Sequence, residues 1–111
     1  MSLIADIKQA LKAVWNFIKK IFQKILNFLK NIAGYFRQPE RIKKIQENPG
    51  TLAITIKENL DNGNFAVVNC LFNENTGEIL DYDNDALIIE TESLDAQTIS
   101  TFGSKDMIIL K

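Results

Sequence analysis

The stretch FIKKIFQKILNFLKNIAGYF, residues 17–36, contains no acidic residue and alternates bulky apolar side chains with Lys, Asn and Gln. Its apolar positions recur at steps of three and four, the spacing that places side chains on one face of an α-helix. The same steps continue back toward the N-terminus as far as Leu3. Residues 3–36 are therefore predicted to form one amphipathic helix, and the surface that covers its apolar face becomes the central question.

The predicted apolar face is wide, because aromatic and aliphatic side chains flank the central seam and cover about half of the helix circumference. A coiled-coil seam is narrower. Lysines border the face on both sides. The residues predicted to form a membrane or partner interface are Ile4, Ile7, Leu11, Val14, Trp15, Ile18, Ile21, Phe22, Ile25, Phe28, Leu29 and Ile32, with Lys12, Lys19, Lys24 and Lys30 beside them.

The ends of this helix are marked by residues that favour starting or stopping it. Ser2 is a candidate N-cap, and Gly34 followed by Pro39 predicts an end between residues 34 and 38. A second, short helix is predicted for PERIKKIQEN, residues 39–48, because Pro suits a first helical position. Residues 37–50 are thus predicted to be a helical connector.

From Thr51 onward the apolar period changes to two, which is typical of strands. TLAITIK and FAVVNCLFN are predicted strands joined by the turn sequence DNGN. Further strands are predicted in EILDY, ALIIET and DMIIL, and a short helix in SLDAQTISTFG. The predicted fold class is α+β, with a long cationic amphipathic helix (1–36), the connector (37–50) and an acidic antiparallel β-rich domain (51–111) that is expected to fold alone.

The net charge of −1 hides an asymmetry between the two halves of the chain. Residues 1–50 carry ten Lys or Arg and three acids, whereas residues 51–111 carry three Lys and eleven acids. Such a split favours either attraction between the halves or a separate partner for each. Nucleic acid is not expected as a partner, because the acidic half would repel it.

The chain has no His and a single cysteine, Cys70, in the middle of a predicted strand. The commonest general base is therefore absent, and a non-enzymatic protein without a cofactor is predicted. Within residues 1–36 no apolar run is long enough for a signal-peptide core or a membrane span. A cytoplasmic location, with any membrane contact peripheral, is predicted.

The segment DYDNDALIIETE, residues 81–92, has carboxylates at the first, third, fifth and twelfth positions. This spacing resembles an EF-hand calcium loop, and the resemblance implies Asp81, Asp83, Asp85 and Glu92 as ligands. Ala86 occupies the position where that loop needs Gly, and the preceding EIL has a strand pattern rather than a helical one. The alternative is a solvated acidic turn between two strands.

A helix over residues 3–36 would be about 50 Å long, whereas a compact domain of about 60 residues is about 25 to 30 Å across. Either the helix breaks and folds back over its own sheet, or another surface covers it. Flanking lysines and Trp15 favour a membrane surface or a protein partner. A homo-oligomer joined through the seam is the alternative, although the absence of acids from residues 7–39 leaves its lysines unpaired.

Overall fold

The computed structural model describes residues 3–110, so the candidate N-cap Ser2 lies outside the described residues. Six strands and five helices follow one another along the chain, with a 3₁₀ turn at Trp15–Phe17 and a π-helical turn at Phe28–Ala33. The helices are α1 (Leu3–Val14), α2 (Gly34–Phe36), α3 (Pro39–Glu47), α4 (Tyr82–Asp85) and α5 (Ala96–Phe102). The strands are β1 (Lys19–Leu26), β2 (Thr51–Asn59), β3 (Phe65–Asn73), β4 (Glu78–Ile79), β5 (Leu87–Leu94) and β6 (Met107–Leu110).

The strands form one sheet in the order β1-β5-β3-β2-β6, with the short β4 paired to the far end of β3. All pairings between strands of residues 51–110 are antiparallel, as predicted, and β1 adds a parallel pairing with β5. The α+β class is confirmed. The complete sheet is mixed rather than purely antiparallel, because the segment before residue 51 contributes a strand.

The N-terminal helix is confirmed but is much shorter than predicted, since α1 ends at Val14 and the helical turn after it ends at Phe17. The predicted uninterrupted continuation is wrong, because residues 19–26 form β1. Residues 28–36 are helical again and end at Phe36, within the predicted range of 34–38. The molecule measures 35 × 28 × 26 Å, so a straight helix of about 50 Å would leave part of its apolar face uncovered. Breaking the helix lets the segment cross the sheet edge and cover a second surface.

One face of the sheet is covered by α1 and the turn that follows it. Ile7, Leu11 and Ile18 are buried against β2, β3 and β5. The buried residues that they contact on the sheet and near β4 are Ile54, Ile56, Val68, Cys70, Phe72, Ile79, Ala86 and Ile88. The three- and four-residue spacing of α1 is thus used inside the molecule.

The opposite face is covered by residues 28–36 and by α5. Phe28, Ile32 and Phe36 pack there with Phe102 over the sheet residues Ala53, Val67, Leu71, Ile89 and Ile108. The sheet is therefore enclosed between two helical layers. A central strand enclosed on both faces is buried almost throughout, which explains why eight of the nine residues of β3 are buried.

Two polar side chains on the sheet face beneath this second layer are hydrogen-bonded. Thr55 Oγ1 donates to Asn69 Oδ1 at 2.8 Å, and Asn69 Nδ2 donates to the carbonyl of Asn31 at 2.9 Å. Both Thr55 and Asn69 are completely buried. The amide of Asn69 therefore joins the central strand to the π-helical turn that covers it.

The end of β1 is held by Asp95, the N-cap of α5. Its backbone N–H donates to the carbonyl of Leu26 at 2.9 Å, while its carboxylate accepts from the amides of Phe28 at 3.0 Å and Thr98 at 2.9 Å and from the Thr98 hydroxyl. Desolvation raises the pKa of Asp95, but these hydrogen bonds outweigh it and hold the pKa below 3.8. One residue thus fixes β1, the π-helical turn and α5 together.

The short-range predictions after residue 38 are largely confirmed. The β2–β3 hairpin turns at Gly63, which has a φ of 89°, as the Asn-Gly pair predicts. Helices α3 and α5 occupy the predicted positions, and Gly103 follows α5. The predicted strand EILDY is reduced to Glu78–Ile79, because a helical turn begins at Tyr82.

The two buried clusters cross the predicted segment boundaries at residues 36 and 50. Residues before residue 37 supply part of each cluster, together with sheet residues after residue 50. The division into three segments stays a prediction, but the segments share their cores.

Candidate functional site

The structure distributes the predicted interface residues over three environments. Ile7, Leu11 and Ile18 are buried on the α1 face, where Ile4, Val14 and Trp15 are half-buried. Phe28 and Ile32 are buried on the opposite face, and Ile21 packs against the same cluster. Only three of the predicted apolar residues remain exposed, namely Phe22, Ile25 and Leu29. The single stripe predicted from helical spacing is therefore not one surface.

The exposed apolar side chains that remain are concentrated in the segment that contains the edge strand β1 and the turns on either side of it. Of the seven large apolar side chains exposed in residues 3–110, four lie within residues 17–29, and they are 57 to 66% exposed. Lysines are interspersed with them along the same stretch. We call this the β1 surface, and it consists of Phe17, Phe22, Ile25 and Leu29 together with Lys19, Lys20, Lys24 and Lys30.

The lysines of the β1 surface are largely free of acidic partners. Lys20 Nζ lies 3.7 Å from Glu90 Oε1, whereas Lys19, Lys24 and Lys30 form no ion pair with any residue from 3 to 110. A hydrogen bond from Asn64 is the largest influence on Glu90, and with Lys20 nearby it holds the pKa of Glu90 below its usual value. The β1 surface is thus cationic, and the acid that pairs with Lys20, Glu90, also accepts a hydrogen bond from Asn64.

The backbone of β1 has a partner on only one side. β1 stands at the end of the strand order, and its other edge pairs with no strand of residues 3–110. From Lys19 to Gln23 each residue is in register with β5, after which the pairing skips Lys24. The Thr91 hydroxyl donates to the carbonyls of Ser93 at 2.8 Å and Lys24 at 3.3 Å at that interruption. The regular part of the open edge therefore spans Lys19–Gln23.

Two residues of this surface lie outside the set predicted from helical spacing, Phe17 and Lys20. Both are exposed. A period of two over residues 18–22 would have found Lys20, because Ile18, Lys20 and Phe22 then share a face. Phe17 precedes that stretch, in the 3₁₀ turn. The stronger three-and-four pattern conceals that alternation.

The predicted calcium ligands Asp81 and Asp85 are instead paired with basic residues of α3. Lys44 donates a hydrogen bond to each of the two carboxylates. These hydrogen bonds raise the pKa of Lys44, and the one to Asp81 has the larger effect. Arg41 Nε lies 3.4 Å from Asp85 Oδ1, an ion pair without hydrogen-bond geometry. The two terminal guanidinium nitrogens of Arg41 also donate hydrogen bonds, Nη1 to the carbonyl of Tyr35 at 3.2 Å and Nη2 to the carbonyl of Asn84 at 3.3 Å.

This ion network attaches α3 to α4, and it also contains an aromatic contact. The Arg41 guanidinium lies 3.7 Å from the centre of the Tyr35 ring. Burial raises the pKa of Tyr35 to about 12, and the neighbouring Arg41 opposes this only in part. The network is therefore an internal clamp, and its charged groups are largely satisfied by one another.

The other two predicted ligands, Asp83 and Glu92, are exposed and take no part in that network. Asp83 lies on the helical turn α4, whereas Glu92 lies on β5. Within residues 3–110 no group of three or more His, Cys, Asp or Glu side chains is arranged to hold a metal ion. The spacing that resembles a calcium loop is not accompanied by an assembled ligand set in the described chain.

Cys70 lies in the centre of β3 and is fully buried. Burial raises the pKa of its thiol to about 12, so the reactive thiolate is scarce near neutral pH. This position suits a core side chain rather than a nucleophile.

A cavity of about 530 Å³ lies between α3, the turn before it and the edge formed by β2 and β6. Its walls are mainly apolar and include Phe36, Ile42, Ile45 and Ile109, with Arg37, Gln46 and Thr51 as the polar contributions. No acid lines it. The cavity is large enough for a small ligand but offers no acid–base pair.

None of the helices in the described part of the chain is long and apolar enough to cross a bilayer. No family model, no curated protein and no solved structure matches this sequence. The function must therefore be argued from the geometry of the chain itself.

Proposed function

We propose that this is a non-enzymatic interaction protein that binds a partner protein through the β1 surface. The observation that carries the proposal is the concentration of four exposed large apolar side chains, Phe17, Phe22, Ile25 and Leu29, in the segment that contains the open edge strand β1. Scattered exposed apolar residues are ordinary, but a contiguous group is typical of a binding site. A partner that covers them would gain about 25 cal/mol for each Å² of apolar area removed from water.

Lysines on an edge strand can also serve to discourage association between sheets. That role explains Lys19, Lys20 and Lys24 but leaves the exposed Phe and Ile side chains between them without a purpose. If the edge had only to be protected from pairing with other sheets, polar residues in place of these Phe and Ile side chains would protect it better. Apolar contacts framed by lysines therefore favour selective binding over simple protection.

A protein partner is favoured over a membrane surface because α1 has already used its apolar face. Ile7 and Leu11 are buried against the sheet, so this helix cannot present them to lipid without leaving the core. The four exposed side chains of the β1 surface flank an open backbone edge, which a bilayer cannot pair with hydrogen bonds. Peripheral contact with anionic lipid is an outcome that the experiment below distinguishes.

A second copy of this chain is a poorer match than a different protein. Pairing β1 with β1 would bring Lys19, Lys20 and Lys24 of both copies together, and like charges on facing strands are destabilising. A cytoplasmic location belongs to the same proposal.

The test compares the wild-type chain with the double variant Phe22→Ser/Ile25→Ser and with the control Ile99→Ser. Ile99 is 57% exposed on α5 and is therefore matched to the two target positions. Each full chain is immobilised, incubated with an extract of its source cells, and its captured proteins are quantified by mass spectrometry. We expect one or a few proteins that the wild type and the control retain and the double variant loses.

Two results would contradict the proposal. Equal capture by all three chains would mean that the β1 surface does not select a partner. Cosedimentation of the wild type with anionic vesicles, abolished in the double variant and without any selectively captured protein, would assign the surface to lipid instead. Sedimentation velocity on the wild type would expose a self-associated chain in the same series.

A further inference from the structure

We infer that the partner supplies an extended acidic segment, which adds to the open edge of β1 as a new outer strand of the sheet. This inference rests on the proposed function and states what kind of polypeptide binds and how. Its argument depends on three features of the β1 surface, namely the backbone edge, the faces on which the side chains lie, and the charge.

The backbone edge is the first feature. The groups of Lys19–Gln23 that point away from β5 have no strand beside them in residues 3–110. An added strand satisfies such N–H and C=O groups with main-chain hydrogen bonds, which is how extended peptides bind to many sheet edges. The unbroken register of Lys19–Gln23 with β5 keeps this part of the edge extended and regular enough to act as a template.

The placement of side chains is the second feature. Ile18 packs in the cluster beneath α1 and Ile21 against the opposite cluster, so successive residues from 18 to 23 point to opposite faces of the sheet. This alternation does not extend to Leu26, which is buried in the same cluster as Ile21. Phe22 therefore lies on the α1 side, whereas Leu29 belongs to the turn that covers the other side. A neighbouring strand has side chains on both faces and can contact both groups at once.

Charge is the third feature, and it selects the composition of the added strand. Lys19 and Lys24 have no acidic partner among the described residues, and Lys20 has only Glu90 at 3.7 Å. Opposite charges on facing strands stabilise the pairing of the two strands. In a strand that alternates acidic with apolar residues, the acids can face Lys19 on one side of the sheet while the apolar residues cover Phe22 on the other.

The experiment measures binding of the full chain to three fluorescein-labelled peptides of about 12 residues, long enough to span an edge strand. In the first peptide Glu alternates with Val, and in the others Gln or Lys replaces Glu. Fluorescence anisotropy should show the Glu peptide binding about 3- to 5-fold more tightly than the Gln peptide, as one cross-strand ion pair with Lys19 would give. The Lys peptide should not bind, and the preference for Glu should shrink as salt rises from about 50 to about 500 mM.

A charge variant and a matched control complete the test. Lys19→Gln/Lys24→Gln should reduce the preference for the Glu peptide to about 2-fold or less, because it removes both unpaired cations. Lys43→Gln/Lys105→Gln removes two exposed lysines elsewhere and should leave the preference unchanged. Amide hydrogen exchange should slow on residues 19–23 when the Glu peptide is bound.

The outcomes separate this inference from the proposed function. Equal binding of the Glu and Gln peptides would overturn the acidic partner, and protection of amides away from β1 would overturn strand addition. If no peptide binds while Phe22→Ser/Ile25→Ser still loses its captured partner, the β1 surface binds in another way and only this inference falls. If neither binding is seen, both fall.

Discussion

β3 and β1 belong to the same sheet, but they are surrounded very differently. β3 pairs with β2 along its full length and with β5 and β4 on its other side, and eight of its nine residues are buried. Among residues 3–110 the only pairing partner of β1 is β5, and Leu26 alone of the eight residues of β1 is buried. The comparison shows that apolar residues form the core where a strand is paired along both edges and covered on both faces. Where a strand lacks a partner along one edge, similar apolar residues stay exposed at the surface.

The contrast extends to the segments that flank the two strands. α1 and residues 28–36 enclose β3 from opposite faces, and β1 is the crossing between them at the sheet edge. The burial of β3 therefore depends on residues 3–36, although β1, in the middle of that segment, is itself largely exposed. Four experiments, in order of decreasing expected effect, break or sharpen this comparison.

Removal of residues 1–50 should have the largest effect, because it exposes both faces of β3. The fragment 51–111 loses Ile7 and Leu11 from one cluster and Phe28 and Ile32 from the other. Burial of one such side chain is worth about 1.5 to 3 kcal/mol, so the loss exceeds the stability of a small domain. Circular dichroism and thermal melting should show no cooperative transition, contrary to the independent folding expected from the sequence.

A cooperative melt of that fragment, with dispersed amide resonances, would contradict this account. It would mean that β2, β3 and β5 hold together without their covering layers. The division of the chain at residue 50 would then be a true domain boundary.

The next largest difference in stability is expected between two substitutions, one just before β1 and one near its end. Ile18 is 7% exposed beneath α1, whereas Ile25 is 59% exposed on β1. Ile18→Asp buries an unpaired carboxylate and should lower the free energy of unfolding by about 3 kcal/mol or more. Ile25→Asp should lower it by less than about 1 kcal/mol. Urea denaturation measures both values.

These two isoleucines lie on one face of the predicted helix, and a continuous helix would make the two substitutions equivalent. Equal losses of stability for Ile18→Asp and Ile25→Asp would therefore support a continuous helix through residues 18–25 and contradict the assignment of residues 19–26 to an edge strand. Lys12→Glu, an exposed change on α1, serves as the control and should shift the urea midpoint very little.

Two carboxylates of the acidic turn at residues 81–85 give the same contrast, because one is buried and the other is exposed. Asp85 is 4% exposed and lies between Arg41 and Lys44, whereas Asp83 is exposed and forms no ion pair with described residues. Asp85→Ala should cost about 2 kcal/mol, at the low end for a buried pair because Lys44 is partly solvated. Asp83→Ala should cost less than about 0.5 kcal/mol.

Calcium sharpens the interpretation of that pair. If Asp81, Asp83, Asp85 and Glu92 formed an EF-hand-like loop, calcium would raise the melting temperature of the wild type and Asp83→Ala would remove the increase. We expect no calcium-dependent change in differential scanning calorimetry. A calcium-induced increase that Asp83→Ala abolishes would contradict the assignment of Asp85 to the ion network.

The smallest expected effect concerns Asp95, which holds the inner end of β1. Its pKa is lower in the folded chain than the ordinary value, so the carboxylate adds stability at pH values above the unfolded-state pKa. That stability is lost as the pH falls through the folded pKa. Asp95→Ala should lose about 1 to 2 kcal/mol at neutral pH through the missing N-cap, and Asp95→Asn should lose less.

Urea denaturation between neutral pH and about pH 3 follows this contribution, since the ordinary carboxyl pKa is about 3.9. The gap between the wild type and Asp95→Asn should narrow as the pH falls. A gap that is constant across the range would mean that the charge of Asp95 does not contribute, and that its hydrogen bonds act equally well from an amide.

The elements after residue 38 could be predicted because their signals are local. Asn62-Gly63 suits the positive φ of a hairpin, Pro39 suits a helix start, and the strands have a period of two. The candidate binding surface was predicted only in part. Phe22, Ile25 and Leu29 were selected and are exposed, but their helical neighbours Ile7, Leu11 and Ile32 are core residues.

The sequence by itself determined the α+β class, the hairpin, the short helices α3 and α5, and the unequal charge of the two halves. Each of these follows from residues close together in the chain. Only the tertiary structure decided that residues 19–26 form a parallel edge strand, because Ile and Phe at steps of three and four can satisfy a helix or, with other neighbours, a strand. The deciding contribution came from β5, which pairs the backbone of β1, and from the two sheet faces, which divide the apolar residues of 3–36 between them.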